Sequence, residues 1–330
     1  LEIVTDTRVD RILFDGKRTA GVRYTRAGAT GEYRLAAGGE VILSAGALET
    51  PKLLQLSGVG PGDLLQSLGI DVVAESPGVG QNMREHRTLF LQFRLRHGAD
   101  TYNDQFSGLQ LLKNVLKYQL FGKGPLGYAS QEVAAHTRVL PGATRPDLQI
   151  IYAPFSLDLK NPTASGDLSF EREPGLNFLP FALRPTSQGS VMIESTDSAA
   201  AARIDPNYLS TDYDREIGVA AVRYLRKLMS QEPLKPFVEG ECEYTRHAES
   251  DEDILKAYET YGQAGYHACG TAKMGTDNLA VIDPRLRVRG VEGLRVMDCS
   301  IYPEMICGNT NAPTMAMAWR AAELIIEDRR

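Results

Sequence analysis

The spacing of hydrophobic positions changes along the chain, and the change predicts a mixed α/β fold. Up to residue 35, short runs rich in β-branched and aromatic residues alternate with Gly-containing turns, which indicates an antiparallel meander. Residues 40–44 contain an unbroken apolar run from Val41 to Leu43, as in a parallel strand covered on both faces. Thr50 and Pro51 are typical of a helix start, because proline fits the first turn, where no amide hydrogen bond is needed.

Beyond a Gly-rich loop at residues 77–83, the pattern predicts a second group of elements. Strands are expected at 90–95, 148–153, 177–183 and 190–194, and helices at 107–121, 212–229 and 251–261. Helix 107–121 is amphipathic and carries one apolar side, made of Leu109, Leu112, Val115, Leu116 and Leu120. Asp212 is the expected N-cap of its helix, and Ser250 precedes the next. The apolar helix at 314–326 is expected to lie in the core.

Composition narrows the class of protein. The 330 residues are 43% hydrophobic and 24% charged, as in globular proteins, and the net charge of −6 argues against a nucleic-acid partner. The four cysteines have no Cys-x-x-Cys spacing, no signal peptide is visible and no apolar run is long enough to span a bilayer. We therefore expect a cytoplasmic protein without a membrane span. No metal-site motif such as His-Glu-x-x-His occurs, and no metal is expected. The chain opens directly in strand-like sequence, which suggests a start inside a longer parent.

The stretch from 265 to 319 contains the strongest candidate chemistry. His267 lies among glycines, Asp298 follows an apolar strand, and Asn309 and Asn311 precede the apolar helix. Backbone amides, an imidazole and carboxamides could converge here on a planar ligand. Structural roles remain open: His267 could be a hydrogen-bonded core residue, Asp298 could cap a turn, and either asparagine could cap the helix.

The formal G-x-G-x-x-G at residues 122–127 is interpreted as a turn. It follows a helix rather than a strand, and Pro125 removes an amide that would face phosphate. A serine hydrolase is unsupported, because Gly-x-Ser-x-Gly is absent.

Five segments, in order along the chain, resemble the glucose–methanol–choline (GMC) flavin oxidoreductases. They are residues 46–60 (GALETPKLLQLSGVG), 77–86 (PGVGQNMREH), 266–275 (YHACGTAKMG), 295–298 (RVMD) and 308–315 (GNTNAPTM). The second has Glu85 where the family usually has Asp. The last is most similar to choline-dehydrogenase-like members, which pair a histidine with an asparagine. The family's N-terminal βαβ unit with G-x-G-x-x-G is not among these segments, so a C-terminal portion lacking that unit is expected.

The resemblance implies a fold, a cofactor and roles for particular residues. It implies an incomplete FAD-binding Rossmann-like domain at 1–86 and 266–330, and a substrate-binding domain at 87–265 with a mainly antiparallel sheet flanked by helices. His267 would be the catalytic base and Asn309 its partner, with Asn311 as the competing assignment for the partner. The implied FAD contacts are Val9, Ser44, Ala45, Gly46, Asp298, Cys299, Asn311, Pro313 and Thr314.

The implied activity is oxidation of a small-molecule alcohol to a carbonyl, with hydride transfer to flavin N5. The N-terminal segment of the same enzyme would be a required partner, so this chain alone is expected to be inactive. Two alternatives stay open: a non-catalytic remnant that acts through protein contacts, and a lyase similar to the hydroxynitrile lyases of the family. The sequence does not choose among alcohols or electron acceptors.

Overall fold

The computed structural model describes residues 1–129, 131, 133–161 and 169–329. The chain forms two compact units, each built from separate stretches. The first unit consists of Leu1–Glu85, Arg184–Ser210 and Tyr266–Arg330, and the second of His86–Leu183 and Thr211–Gly265.

Helices and strands alternate irregularly along the chain. The helices are α1 Gly46–Leu56, α2 Gly62–Ser67, α3 Gly108–Phe121, α4 Asp212–Met229, α5 Asp251–Tyr261 and α6 Asn311–Glu327. The strands are β1 Thr7–Asp15, β2 Arg18–Arg26, β3 Ala29–Arg34, β4 Val41–Leu43, β5 Val59–Gly60, β6 Ala74–Glu75, β7 Arg87–Leu89, β8 Leu91–Leu95, β9 Val133–Thr137, β10 Leu148–Ala153, β11 Leu157–Asp158, β12 Ser169–Phe170, β13 Gly175–Ala182, β14 Ser190–Met192, β15 Arg203–Asp205, β16 Val238–Glu241, β17 Gly262–Ala264 and β18 Leu294–Val296.

In the first unit, β1, β2 and β3 form the predicted antiparallel meander, and β4 pairs in parallel with β18, with Val41 opposite Leu294. The expectation that β4 is covered on both faces is wrong for this chain, since Ile42 is 42% exposed. The reason is that side chains alternate along a strand, and only the face of Leu43 joins the core.

Residues 184–210 belong to the first unit, whereas the sequence placed all of 87–265 in one domain. The cause is backbone pairing and one buried side chain. Met83 and Gly189 exchange backbone hydrogen bonds of 3.0 and 2.9 Å. The fully buried amide of Gln55 donates to the Val191 carbonyl and accepts from the Ile193 amide, both at 2.9 Å. These bonds fasten β14 to α1.

Helix α1 begins at Gly46 rather than at Thr50, so Pro51 lies inside it. A proline there leaves the carbonyl four residues earlier without its helical donor. That carbonyl belongs to Ala47, and the buried Thr271 hydroxyl donates to it at 2.7 Å. The lost helical bond is thus replaced from another part of the same unit, which allows the helix to run through the proline.

The second unit contains the expected antiparallel sheet, with strand order β16-β8-β13-β10-β9. Helix α4 buries Ile217, Ala221 and Leu225. Its N-cap is Thr211 rather than Asp212, because the Thr211 hydroxyl accepts the Asp214 amide. Ser250 and Asp253 form a capping box at the start of α5.

Two helices leave apolar side chains in solvent. The prediction that residues 314–326 lie in the core is wrong for this chain: of α6 only Ala321 is buried, and Trp319 is 77% exposed. In α3 only Asn114 is buried.

Within the described residues, no helix has both the length and the hydrophobicity to cross a membrane.

Candidate active site

The loop that carries His267 is fixed by backbone and carboxylate contacts. The His267 amide donates to Glu85 Oε1 at 2.9 Å. Arg84 and Cys269 exchange two backbone hydrogen bonds of 2.9 Å. Gly270 has φ +85°, and a Cβ there would come within 2.6 Å of the Asn82 carbonyl oxygen. The 82–85 segment can therefore approach only a glycine at this position, and together they hold the histidine loop in one place.

His267 and Asn309 are in direct contact. Asn309 Nδ2 lies 3.0 Å from His267 Nε2. An amide nitrogen can only donate, so Nε2 accepts, and a neutral ring then carries its proton on Nδ1. His267 is buried, and this burial lowers its pKa, which favours the neutral imidazole at neutral pH. Asn309 is exposed. The pair thus presents a hydrogen-bond donor beside an acceptor at the surface of the unit.

The start of α6 lies next to Asn309 in the chain. Asn311 is the first helical residue and is exposed, and the preceding Thr310 makes no side-chain cap. The Thr314 hydroxyl lies 2.7 Å from the Thr310 carbonyl and 2.5 Å from the hydroxyl of the buried Tyr302. Tyr302 therefore holds the first turn in place, while the leading amides of a 17-residue helix stay available to a ligand. Pro313 is half-buried in this turn.

The ends of β4 and β18 form the other part of the candidate site. Ser44 and Ala45 are exposed, and Ala45 precedes α1 without a side-chain cap. Gly46 has φ +83°, and a Cβ there would meet nothing within 4 Å. Open space thus lies beside the turn that joins a parallel strand to an 11-residue helix.

Asp298 locks this turn. Its Oδ2 accepts from the Gly46 amide at 3.0 Å and from the buried Thr50 hydroxyl at 2.6 Å. Its Oδ1 accepts from the Ser300 amide at 2.7 Å. The carboxylate is engaged on both oxygens, so it positions the two strand ends. The half-buried Cys299 follows, and burial raises the pKa of its thiol.

All the site residues predicted from the sequence belong to the first unit. Val9 is 39% exposed on β1, beside an irregularity in its pairing with β2. Of the two asparagines, Asn309 contacts His267.

Three residues that were not predicted from the sequence support the site from behind. Glu85 holds the His267 backbone, Thr50 binds Asp298 and Tyr302 binds Thr314. Thr50 and Glu85 lie within the family segments at residues 46–60 and 77–86, and this position could have indicated a role in the site. Nothing local in the sequence distinguishes Tyr302.

Two GMC oxidoreductase family models match the chain, one at residues 1–88 and the other at 185–318. Together they cover more than half of it. The chain belongs to the GMC oxidoreductase family. The members of this family are FAD-binding flavoproteins. Because residues 1–88 match the family's N-terminal model, the expectation of a C-terminal portion lacking the N-terminal unit is corrected to this extent: part of the family's N-terminal region is in the chain.

The relatives include choline dehydrogenases. The chain is 35% identical to the mitochondrial choline dehydrogenase of Homo sapiens over 333 residues, which cover 98% of the chain and 54% of that protein. It is also 35% identical to the oxygen-dependent choline dehydrogenase of Ectopseudomonas mendocina, with 98% and 56% covered. The chain thus spans just over half the length of these relatives.

Solved structures share the fold. A formate oxidase structure superposes with a TM-score of 0.89 at 25% identity, covering 98% of this chain and 60% of that one. A mutant of the Aspergillus oryzae RIB40 formate oxidase, studied for FAD modification, gives the same values. A fungal aryl-alcohol oxidase at 23% identity, with a TM-score of 0.78 and 98% and 60% covered, supports the fold alone.

Proposed function

We propose that the chain is the part of a flavin-dependent alcohol oxidoreductase that removes the hydroxyl proton. The observation that carries this proposal is the 3.0 Å contact between Asn309 Nδ2 and His267 Nε2. A hydroxyl group is both a donor and an acceptor. A substrate alcohol can therefore enter between the two side chains, donating to Nε2 and accepting from Nδ2.

His267 then acts as the base and Asn309 stabilises the oxygen. The neutral imidazole takes the proton at Nε2, and its buried position keeps it neutral before the reaction. The Asn309 amide donates to the alkoxide that develops, a contribution of about 3 kcal/mol for single donors of this kind. Glu85 accepts the His267 amide and so holds the loop that carries the base.

The residues present fit part of an FAD site. The exposed turn at Ser44, Ala45 and Gly46 would face the ADP moiety, with Val9 near the adenine. The Asp298 carboxylate already accepts hydrogen bonds on both oxygens. The backbone of Asp298 and Cys299, rather than this carboxylate, would therefore contact the pyrophosphate. Asn311, Pro313 and Thr314 would flank the ring. FAD, when bound, supplies the acceptor for the substrate hydride.

We further propose that an N-terminal segment completes this FAD-binding domain, which would then be Rossmann-like. The chain corresponds to just over half of its choline dehydrogenase relatives, and G-x-G-x-x-G occurs in it only at residues 122–127, after a helix. The second unit would form the substrate side. Choline is the first alcohol to try, because both relatives are named for it.

The first test measures flavin reduction by alcohol in the flavin-loaded protein, followed by stopped-flow absorbance. His267→Ala should slow reduction at least 100-fold. The matched control is His247→Ala, since His247 is exposed in the second unit and outside the site. Reduction at the wild-type rate in His267→Ala would refute the assignment. Protein that binds no flavin even with its N-terminal segment would favour the non-catalytic alternative.

The pH dependence provides a second test. Because burial lowers the pKa of His267, the base stays neutral down to a pH below its ordinary value of about 6.5. Above about pH 6.5 the imidazole is neutral, so the rate of flavin reduction should not change with the protonation of His267. The rate should fall only at a pH below about 6.5, where the imidazole becomes protonated. Measured kcat/KM that already falls as the pH drops from 8 to about 7 would contradict this assignment.

A further inference from the structure

Helix α3 carries an apolar face that the described chain does not cover. Leu109, Leu112, Leu116 and Leu120, here called the leucine stripe, are 77%, 55%, 53% and 70% exposed. Their spacing of three, four and four residues places them on one side of the helix. Aromatic side chains are also exposed in α3 and just after it, namely Tyr118, Phe121 and Tyr128. The four leucines form a row of exposed apolar side chains, unlike the single exposed apolar residues found on most surfaces.

The charge around the leucine stripe is positive. From residue 105 to 131 the sequence contains Lys113, Lys117 and Lys123 and no acidic residue, whereas the chain as a whole has a net charge of −6. Lys113 and Lys117 are exposed and project within about 100° of the centre of the stripe. Their methylene stems can lie along the apolar surface while the ammonium groups extend outward.

The opposite side of the helix is anchored to the second unit. The buried Asn114 lies roughly 150° around the helix from the centre of the leucine stripe. Its Nδ2 donates to the Gln105 carbonyl at 2.8 Å and also lies 3.2 Å from Gln105 Oε1. This side of α3 faces the segment before the helix, whereas the stripe and its lysines face solvent.

We propose that α3 binds an anionic lipid surface, lying in the plane of the membrane with its leucine stripe inserted. An amphipathic helix with leucines on one face and lysines beside them has the chemistry of interfacial helices. A second copy of the chain is a poorer occupant, because the lysines of two paired α3 helices would approach each other with no acid in residues 105–131 to neutralise them. The helix lies on the membrane and does not cross it.

Vesicle binding tests the proposal directly and does not require FAD, so it is independent of the proposed function. The full chain should co-sediment with vesicles of equal parts phosphatidylcholine and phosphatidylglycerol. Binding to phosphatidylcholine alone should be at least tenfold weaker. Raising the salt from about 0.1 M to about 1 M should reduce the anionic binding, because the shorter screening length weakens the lysine contribution.

Two variants separate the apolar and the charged contributions. Leu112→Gln with Leu116→Gln should lower binding to anionic vesicles at least tenfold, and Phe237→Gln, at an exposed site in the same unit, should not. Lys113→Gln with Lys117→Gln should also lower it about tenfold or more. The matched control is Lys227→Gln with Lys235→Gln, which should bind as the wild type does. Circular dichroism checks that each variant is folded.

Several outcomes would overturn the proposal. One is absence of binding to either vesicle type by folded wild-type chain. Another is equal binding to both vesicle types at low salt. A third is a dimer in solution that dissociates in Leu112→Gln with Leu116→Gln, since a second copy would then cover the stripe.

Discussion

Helices α1 and α6 both begin beside residues that are proposed to contact the flavin, yet α1 is largely buried and α6 is largely exposed. Eight of the eleven residues of α1 are buried, including the polar side chains of Thr50, Lys52 and Gln55. In the 17 residues of α6, only Ala321 is buried. Polar groups inside α1 have partners, whereas apolar groups of α6 such as Met315 and Trp319 meet solvent.

The difference shows that the hydrophobicity of a helix alone does not decide whether it is buried in the core. Helix α1 is a fixed part of the core because its polar side chains satisfy backbone groups and Asp298. Helix α6 is held at both ends, at its first turn through Tyr302 and Thr314 and near its last turn by Arg285, which donates to the Leu324 carbonyl at 2.9 Å. In the proposed function, that first turn is also the part that meets the ring.

The largest effect is expected from Gln55→Ala. The change removes both partners that Gln55 provides to Val191 and Ile193 and leaves a space in the core. The free energy of unfolding should fall by about 3 kcal/mol, measured by urea denaturation. Glu323→Ala on the exposed side of α6 is the control and should change it by less than about 0.5 kcal/mol. Equal losses in the two variants would remove the contrast between the helices.

A smaller loss is expected from Thr50→Val, which keeps the side-chain shape and removes the hydroxyl that donates to Asp298. We expect about 1–2 kcal/mol, since the carboxylate loses a buried donor. Thr314→Val makes the same change on α6, at a half-buried site, and should cost less than Thr50→Val in the same urea experiment. A larger cost for Thr314→Val would mean that α6 is the more firmly held helix.

The smallest stability effect is expected from Trp319→Gln, less than about 0.5 kcal/mol, because the indole is 77% exposed. Trp319 is the single tryptophan of the chain, so its fluorescence reports on α6 directly. Emission should be that of a solvated indole and should be strongly quenched by acrylamide. A blue-shifted, poorly quenched emission would show that α6 is covered in solution.

Features that depend on neighbouring residues could be predicted from the sequence, whereas features that depend on contacts between distant residues could not. The meander at β1–β3 and the cap at Ser250 depend on short-range pattern, and the structure has them. The antiparallel sheet of the second unit was expected from the family resemblance, and the structure has it too. The placement of residues 184–210 was missed, because it depends on Gln55, more than a hundred residues away. The start of α1 was misplaced because the donor for Ala47 is Thr271, which no local rule connects with Pro51.

The candidate site shows the same limit. The family motifs supplied His267 and Asn309, and the structure places them 3.0 Å apart, but the catalytic role remains a prediction. Burial of α6 was predicted from its composition alone and was wrong for the described chain, since composition cannot say whether a covering surface is present.

The pairing of β4 with β18 has a consequence for biosynthesis. Val41 leaves the ribosome about 250 residues before its partner Leu294. At a translation rate of about 5–20 residues per second, the first strand waits roughly 10–50 s for the second. During that interval its edge is open to incorrect partners, so a nascent-chain chaperone that shields this short apolar segment should raise the yield of native protein.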